Sequence, residues 1–153
     1  MKNTFLLLTA LVLGTSQVRA TQHTVSNAIG GAAQFTSIQS AIDAAQPNDT
    51  ILVQGSTITY TDFTPTKPLT IIGPGHHPTA IGSFAAITGS CSISPVASGT
   101  RLIGLDIFAI SIGGATPVDN FVVRNCIIRN NMNMQNSTSN FVFEGNFIYA
   151  SIV

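Results

Sequence analysis

A repeat with a period of about 20 residues dominates the second half of this chain. Three segments align without gaps, at 102–107, 122–127 and 142–147. Two columns of the alignment are Leu102/Val122/Val142 and Asp106/Cys126/Asn146. A fixed period of this size means that each repeat is one structural unit, which buries its apolar face only against its neighbours. The repeat therefore predicts a solenoid in which the residues of one column stack on successive turns.

The composition of the repeats indicates the kind of solenoid. The units are rich in β-branched residues and are separated by Asn, Gly and Ser, without a helical half or leucines at fixed spacing. Such runs between turn residues form strands, which argues against a leucine-rich repeat. We therefore predict an all-β solenoid, a right-handed parallel β-helix. In it, residues 51–153 form about five coils of roughly 20 residues, stacked about 4.8 Å apart.

One amphipathic helix is predicted before the coils. Over residues 36–45, apolar residues recur at the helical spacing i, i+3, i+4 and i+7, at Ile38, Ala41, Ile42 and Ala45. Thr36 and Gln39 have the spacing of a capping box, and residues 46–49 contain a proline and turn residues that end the helix. We predict that residues 21–50 form an N-terminal segment whose helix caps the first coil.

Two stretches carry a resemblance to a known family. TSIQSAIDAAQPNDTILV and KPLTIIGPG, within residues 34–75, resemble the capping helix, strand and next rung that open the pectin-lyase-like superfamily of secreted parallel β-helix proteins. Asn48 stands where that superfamily usually has Gly, and Asn also tolerates the left-handed conformation. The resemblance implies the fold but no particular activity, because enzymes and non-enzymes share this opening.

Residues 1–20 have the pattern of a secretory signal. Lys2 provides a positive charge, residues 5–14 form an apolar run, and Val18 and Ala20 occupy positions −3 and −1 of a cleavage site. The run is too short to span a membrane. We predict cleavage before Thr21, bacterial-type export to the cell envelope or the medium, and no membrane span in the mature chain.

The charges of the mature chain limit its partners. Residues 21–153 keep four basic side chains against six acidic ones, a net charge of about −2, without a basic run. Nucleic-acid binding needs clustered cations, so we predict no nucleic-acid partner. A polysaccharide is the partner class that we expect, although the chain has no Trp and only two Tyr to stack on sugars.

Cysteine and histidine often act as catalytic residues or metal ligands, but in this sequence they have structural interpretations. Cys91 and Cys126 occupy different phases of the coil, so we predict two buried thiols rather than a disulfide. His23 has no evident partner, and the adjacent histidines at 76–77 lie in a predicted solvated turn. No metal site follows from these histidines, because a third ligand at suitable spacing is missing. Residues 130–136 have the composition of a polar loop between coils.

Two pairs of residues are the candidates for a functional site. Arg124 and Glu144 share one phase one coil apart, about 5 Å by the stacking distance. This fits either an exposed cross-strand ion pair or a base and substrate clamp beside a carboxylate. Asp106 and Asp119 are the candidate ligands for Ca²⁺, which a lyase of the resembled superfamily needs, although Ca²⁺ takes about six to eight oxygen ligands. Asp106 shares its column with Cys126 and Asn146, which favours a turn-ladder role instead, in which turn residues of successive coils stack on one another.

The carboxylates of the coils provide no evident acid–base pair. A glycoside hydrolase needs two carboxylates about 5–9.5 Å apart, and no Asp–Asp or Asp-x-x-Asp pair occurs. We therefore predict a non-catalytic module with a surface, adhesion or glycan-contact role and no cofactor. The alternative is the N-terminal part of a pectate-lyase-like or glycoside-hydrolase-like enzyme, which would use Ca²⁺ if it is a lyase.

The sequence ends at residue 153, directly after a predicted strand and without a polar cap. An open coil exposes unpaired backbone groups and apolar side chains. Two explanations follow. The chain is the front of a longer protein, or its open coil pairs end to end with a partner chain.

Overall fold

The structure is a computed structural model, which describes residues 20–75, 85–135 and 139–149. Over these residues the chain forms a parallel β-solenoid of about 4 turns with one short helix. This confirms the predicted fold class, with a coil count close to the predicted one. The predicted signal segment up to residue 19, the histidines at 76–77 and the last residues of the open coil lie outside the described residues, and those expectations stay predictions.

The elements of the described residues are short. The helix α1 spans Ile38–Ala44, and Pro95–Ala97 form a 3₁₀ turn. In chain order the strands are β1 (Gln22–Val25), β2 (Thr50–Val53), β3 (Thr70–Ile72), β4 (Ile87–Thr88), β5 (Cys91–Ile93), β6 (Arg101–Ile103), β7 (Asp106–Ile107), β8 (Ile110–Ile112), β9 (Val122–Arg124), β10 (Ile127–Ile128), β11 (Met132–Met134), β12 (Val142–Glu144) and β13 (Phe147–Ile148).

The strands stack into three parallel sheets. Their orders are β1-β2-β3-β6-β9-β12, β4-β7-β10-β13 and β5-β8-β11. One coil passes through all three sheets in turn, as β6, β7 and β8 do, so neighbours in a sheet come from successive coils. The rest of each coil provides the long connection that parallel pairing requires.

Inward-facing apolar side chains fill the centre of the coils. In the six-stranded sheet, Ile71, Leu102 and Val123 pair in register and are fully buried. In the four-stranded sheet, Ile107 and Ile128 do the same. Strands of two or three residues bury little surface alone, so the stacking of coils supplies most of the apolar burial that stabilises the fold.

The predicted helix is present and packs against β1 and β2, but its N-cap differs from the prediction. Ser37 is the N-cap in place of Thr36, and its hydroxyl accepts a hydrogen bond from the amide of Ser40 at 3.1 Å. The predicted capping box was wrong, because the side-chain oxygen of Gln39 instead accepts the amide of Thr64 at 2.8 Å. The predicted apolar face is buried, at Ile38, Ala41, Ile42 and Ala45.

Lys67, in the KPLTIIGPG stretch, holds the end of the helix. Its ammonium donates to the carbonyl oxygens of Ile42 and Ala45 at 2.9 and 2.8 Å. Carbonyls in the last turn of a helix lack partners within the helix, and a cation there also complements the helix dipole. Lys67 therefore attaches the capping helix to the coils.

The register of the coils differs from the predicted alignment. Leu102 pairs with Val123 rather than with Val122, one position beyond the predicted partner, whereas the next coil keeps the predicted register. We call this displaced register the long step. Val123 is fully buried while Val122 is partly exposed, because alternate residues of a strand face the core. Because of the same long step, Asp106 of β7 pairs with Ile127 rather than with Cys126. Its predicted turn-ladder role was therefore wrong.

Left-handed turns join the six-stranded sheet to the four-stranded sheet. Gly104, Asn125 and Gly145 occupy this turn in successive coils, with φ angles of 64°, 52° and 64°. Gly and Asn are the residue types that adopt this conformation most readily. At the entry to the six-stranded sheet, the side chain of Asn140 donates a hydrogen bond of 3.1 Å to that of Asn120 on the preceding coil.

The predicted polar loop at 130–136 contains a strand. Met132–Met134 form β11, which pairs with β8, and Met132 is fully buried. The loop prediction was wrong. The many Asn residues of the segment indicated a polar loop, but the unbranched side chain of Met132 fills a core position of the coil. The coils that begin with β3, β6 and β9 therefore have three strands each.

Candidate functional site

Arg124 and Glu144 form an exposed ion pair. They face each other on β9 and β12, and Nε and Nη2 of Arg124 lie 3.0 and 2.8 Å from Oε2 of Glu144. Both side chains are exposed, and such pairs contribute about 0.2–1 kcal/mol to stability. A guanidinium keeps its proton at physiological pH, so this geometry fits an ion pair better than a catalytic base.

Asp106 lies beneath Arg129 rather than in an open cation site. Its two carboxylate oxygens accept hydrogen bonds from Nε and Nη2 of Arg129, each at 2.6 Å. The side chain of Asp106 is 4% exposed and that of Arg129 is 47% exposed. The hydrogen bond to Asp106 raises the pKa of the Arg129 guanidinium. Both oxygens of the predicted Ca²⁺ ligand are therefore bound to a cationic side chain.

Asp119 lies elsewhere, in the loop that precedes β9. Its Oδ1 accepts hydrogen bonds from the hydroxyl and the amide of Ser139, at 2.7 and 3.2 Å. Asp106, on the four-stranded sheet, and Asp119 thus have separate protein partners. Among residues 20–75, 85–135 and 139–149, no group of three or more His, Cys, Asp or Glu side chains is placed to hold a metal ion.

The residues that directly follow Ile107, Ile128 and Ile148 form a column that the sequence did not reveal. The amides of Phe108, Arg129 and Tyr149 continue the parallel hydrogen bonding to the preceding coil, at 3.1, 2.9 and 2.9 Å. Because the isoleucines face the core, the next side chains face outward. Phe108, Arg129 and Tyr149 thus occupy equivalent outer positions, about 5 Å apart from coil to coil.

These side chains form a surface that we call the aromatic face (Phe108, Arg129, Phe147 and Tyr149). The exposed fractions of Phe108, Phe147 and Tyr149 are 50%, 53% and 74%. Arg129 lies between two aromatic residues of its column, and Asp106 balances its charge. A guanidinium has more N–H groups than one carboxylate accepts, so within the described residues Arg129 has donors beyond the two that bind Asp106. The aromatic face offers apolar rings and hydrogen-bond donors without net charge.

A polar cleft lies on the three-stranded sheet. Its volume is about 290 Å³, and its lining includes Ser92 and Ser111, which pair across β5 and β8, together with Thr64 and Gln135. The described residues that line it carry hydroxyl, amide and backbone groups but no ionisable side chain. The cleft is therefore suited to hydrogen bonding and offers no acid or base among these residues.

Two properties of the sequence hid the aromatic face. The composition contains few aromatic residues, and it does not show that three of them lie on one sheet. The regular alignment places Phe108 in a column with the buried Ile128, whereas the long step places it beside Arg129. Aligning Ile107 with Ile128 as core residues is the signal that would have revealed the column.

Comparisons with known proteins find no match among protein-family models, curated proteins or solved structures. In the part of the chain that the structure describes, no helix has the length and apolar character needed to cross a membrane. Function must therefore be inferred from the fold and the side chains of this chain itself.

Proposed function

We propose that this protein is an exported, non-catalytic β-helix that binds uncharged polysaccharide on its aromatic face. The observation that carries the proposal is the outward column of Phe108, Arg129 and Tyr149, with the charge of Arg129 balanced by Asp106. Clustered exposed apolar side chains rimmed by polar groups mark interaction surfaces.

The chemistry of the aromatic face fits a sugar chain. The C–H faces of a pyranose ring pack against aromatic rings, and sugar hydroxyl groups accept hydrogen bonds from a guanidinium. Two coil steps separate Phe108 from Tyr149, about 10 Å, so an extended glycan can contact both rings with Arg129 between them. An uncharged glycan is favoured over a polyuronate because the ion pair cancels the charge of Arg129.

The engagement of the acidic side chains supports binding without catalysis. In the coils, Asp106 is bound to Arg129 and Glu144 to Arg124, while Asp62 and Asp119 accept backbone amides of the next coil. A glycoside hydrolase needs two carboxylates that flank the bond to be broken. The described carboxylates are instead held in ion pairs and turn contacts.

Kinship with the pectin-lyase-like superfamily is part of the same proposal. It is supported by the parallel solenoid and by the roles of the two stretches that carry the resemblance. One supplies the helix that closes the first coil, and the other supplies Lys67, which binds the end of that helix. The signal pattern of residues 1–20 supports export, and with it a location in the cell envelope or the medium.

Binding to insoluble glycans tests the function. The protein is mixed with particles of neutral glucan, xylan and mannan, and with polygalacturonate as the acidic comparison, and the bound fraction is measured. We expect binding to at least one neutral glycan. Phe108→Ala and Tyr149→Ala should each weaken it about tenfold, which corresponds to about 1.4 kcal/mol.

Val96→Ala is the matched control, because Val96 is an exposed apolar residue of the 3₁₀ turn outside the four-stranded sheet. Absence of binding to every neutral glycan, or an equal loss in the control, would overturn the proposal. Stronger binding to polygalacturonate would contradict an uncharged ligand. Release of unsaturated uronides or new reducing ends would contradict the non-catalytic role and favour the polysaccharide-degrading alternative.

A further inference from the structure

The carboxylate of Asp49 is the centre of a buried network at the first coil. It accepts the amide of Thr21 at 2.7 Å and the amide of Gln46 at 2.8 Å, and Nε2 of His23 lies 3.0 Å from it. Asp49 is almost completely buried. His23, for which the sequence indicated no partner, therefore has one. The network joins β1 to the turn between α1 and β2.

Both backbone polar groups of Thr21 are hydrogen-bonded. Its amide donates to Oδ1 of Asp49, and its carbonyl accepts the amide of Thr50 at 2.9 Å. Ala20, which precedes it, is exposed and so adds nothing to the buried core. The predicted cleavage site after Ala20 thus coincides with the residue whose nitrogen contacts the buried carboxylate.

We propose that removal of the signal segment creates an ion pair between the new α-ammonium group of Thr21 and Asp49, which locks the N-terminal cap. Water adds across the peptide bond between Ala20 and Thr21. The bond breaks, a carboxylate stays on Ala20, and Thr21 keeps an amino group that is mostly protonated at neutral pH. The nitrogen already lies at hydrogen-bonding distance from Oδ1, so the charged group forms the pair without a large movement.

Among residues 20–75, 85–135 and 139–149, no Lys or Arg side chain is paired with Asp49. An ionised carboxylate is costly to bury unless a cation pairs with it. Lys67 approaches the end of α1, but its ammonium binds the carbonyls of Ile42 and Ala45. His23 carries a charge only when it is protonated. The α-ammonium supplies positive charge at the same nitrogen that now donates as a neutral amide.

The ion pair makes the stability of the first coil depend on processing. Before cleavage, Thr21 is held by an amide donor, and afterwards by a charge-assisted hydrogen bond between two ions, which is stronger. Strand β1 begins the six-stranded sheet, so the pair fixes the edge on which the later coils stack. The uncut chain is the less stable form, which suits a chain that is exported before it folds.

Four chains measure the coupling. Two begin at Thr21 with a free amino group, released from a fusion partner, and two carry the extension Gly-Ser-Gly-Ala20 with an acetylated and therefore neutral N-terminus. Each form is made with Asp49 and with D49N. We expect the free terminus to raise the midpoint of thermal unfolding by about 4 °C with Asp49 and by less than about 1 °C with D49N. D43N, at an exposed carboxylate of α1, is the matched control and should keep the full difference.

Equal midpoints for the cut and extended chains would overturn the ion pair, as would a difference that survives in D49N. If D49N does not fold, the pKa of the Thr21 amino group in the chain with Asp49 decides. It is measured from the rate at which the amino group is acylated as the pH is varied. A pKa above the usual range of about 7.7–8.0 supports the pair, and an ordinary pKa refutes it. The inference rests on the proposed export, which mass spectrometry of the exported N-terminus tests separately. Failure of export and failure of the ion pair are therefore distinguishable.

Discussion

Arg129 donates two hydrogen bonds of 2.6 Å to Asp106 on the preceding coil. The carboxylate is buried and the guanidinium is half exposed, so one end of the pair is desolvated. Arg124 and Glu144 form a pair across the next coil step, yet both of their side chains are exposed. These two cross-coil pairs differ chiefly in burial, which makes each a control for the other.

We expect Arg129→Ala to destabilise the protein more than Arg124→Ala. Removing one partner of a fully buried pair costs about 3–5 kcal/mol, and the half exposure of Arg129 lowers this to about 2 kcal/mol. Arg124→Ala should cost less than about 1 kcal/mol. Urea unfolding measures both variants. Equal losses would mean that Asp106 does not depend on Arg129 for its charge compensation.

The fold could be predicted because its determinants are local and repeated. The apolar stripe of Ile38, Ala41 and Ile42 indicates the helix, and the recurring strands separated by Asn and Gly indicate stacked coils. The N-cap could not be assigned, since Thr36 and Ser37 are adjacent and both residue types cap helices. The hydrogen bond from the amide of Ser40 decides between them.

The site could be predicted only where the coils keep a constant length. Arg124 and Glu144 lie one regular repeat apart, so their pairing follows from the sequence. Asp106 and Phe108 lie in a coil that takes the long step, and a shift by one residue moves a side chain to the other face. The bond of Asp106 to Arg129 and the column of Phe108 could therefore not be derived from the regular alignment.

Acid should weaken the first coil through Asp49. Burial raises the pKa of this carboxyl, but hydrogen bonds from Gln46, Thr21 and His23 outweigh it, so the pKa lies below its ordinary value of 3.8. Such a group stabilises the fold above the pKa of the unfolded chain, and this contribution is lost as the pH falls through the lower, folded pKa. Below about pH 4 the wild type should lose stability more steeply than D49N. Urea midpoints against pH measure this, and parallel curves would contradict it.

Both thiols should be unreactive in the folded protein. Cys91 and Cys126 are buried and free, as predicted. Burial raises the pKa of Cys91 well above its ordinary value and that of Cys126 to about 11. Because the thiolate is the reactive form, a maleimide at about pH 7 should label neither residue before unfolding and both in urea. Mass spectrometry counts the labels, and rapid labelling of the folded protein would show that a thiol is accessible.

The register of the three-stranded sheet gives a direct test of the coil geometry. Ser111 on β8 pairs with Asn133 on β11, whereas the strict repeat of the sequence alignment pairs it with Asn131. Paired residues of adjacent strands lie about 4.8 Å apart, and residues two positions further along lie about 8 Å apart. A disulfide needs Cα atoms within about 7 Å of each other.

We therefore expect S111C with N133C to form a disulfide under mild oxidation and S111C with N131C to remain reduced. The three positions are exposed or partly exposed, so the substitutions should leave the core unchanged. Mass spectrometry after alkylation distinguishes the bridged from the reduced chain, and Cys91 and Cys126 serve as buried references. A disulfide that forms only in the variant with S111C and N131C would show that the coils keep the regular register. It would also separate Phe108 from Arg129, and the aromatic face would no longer form one column.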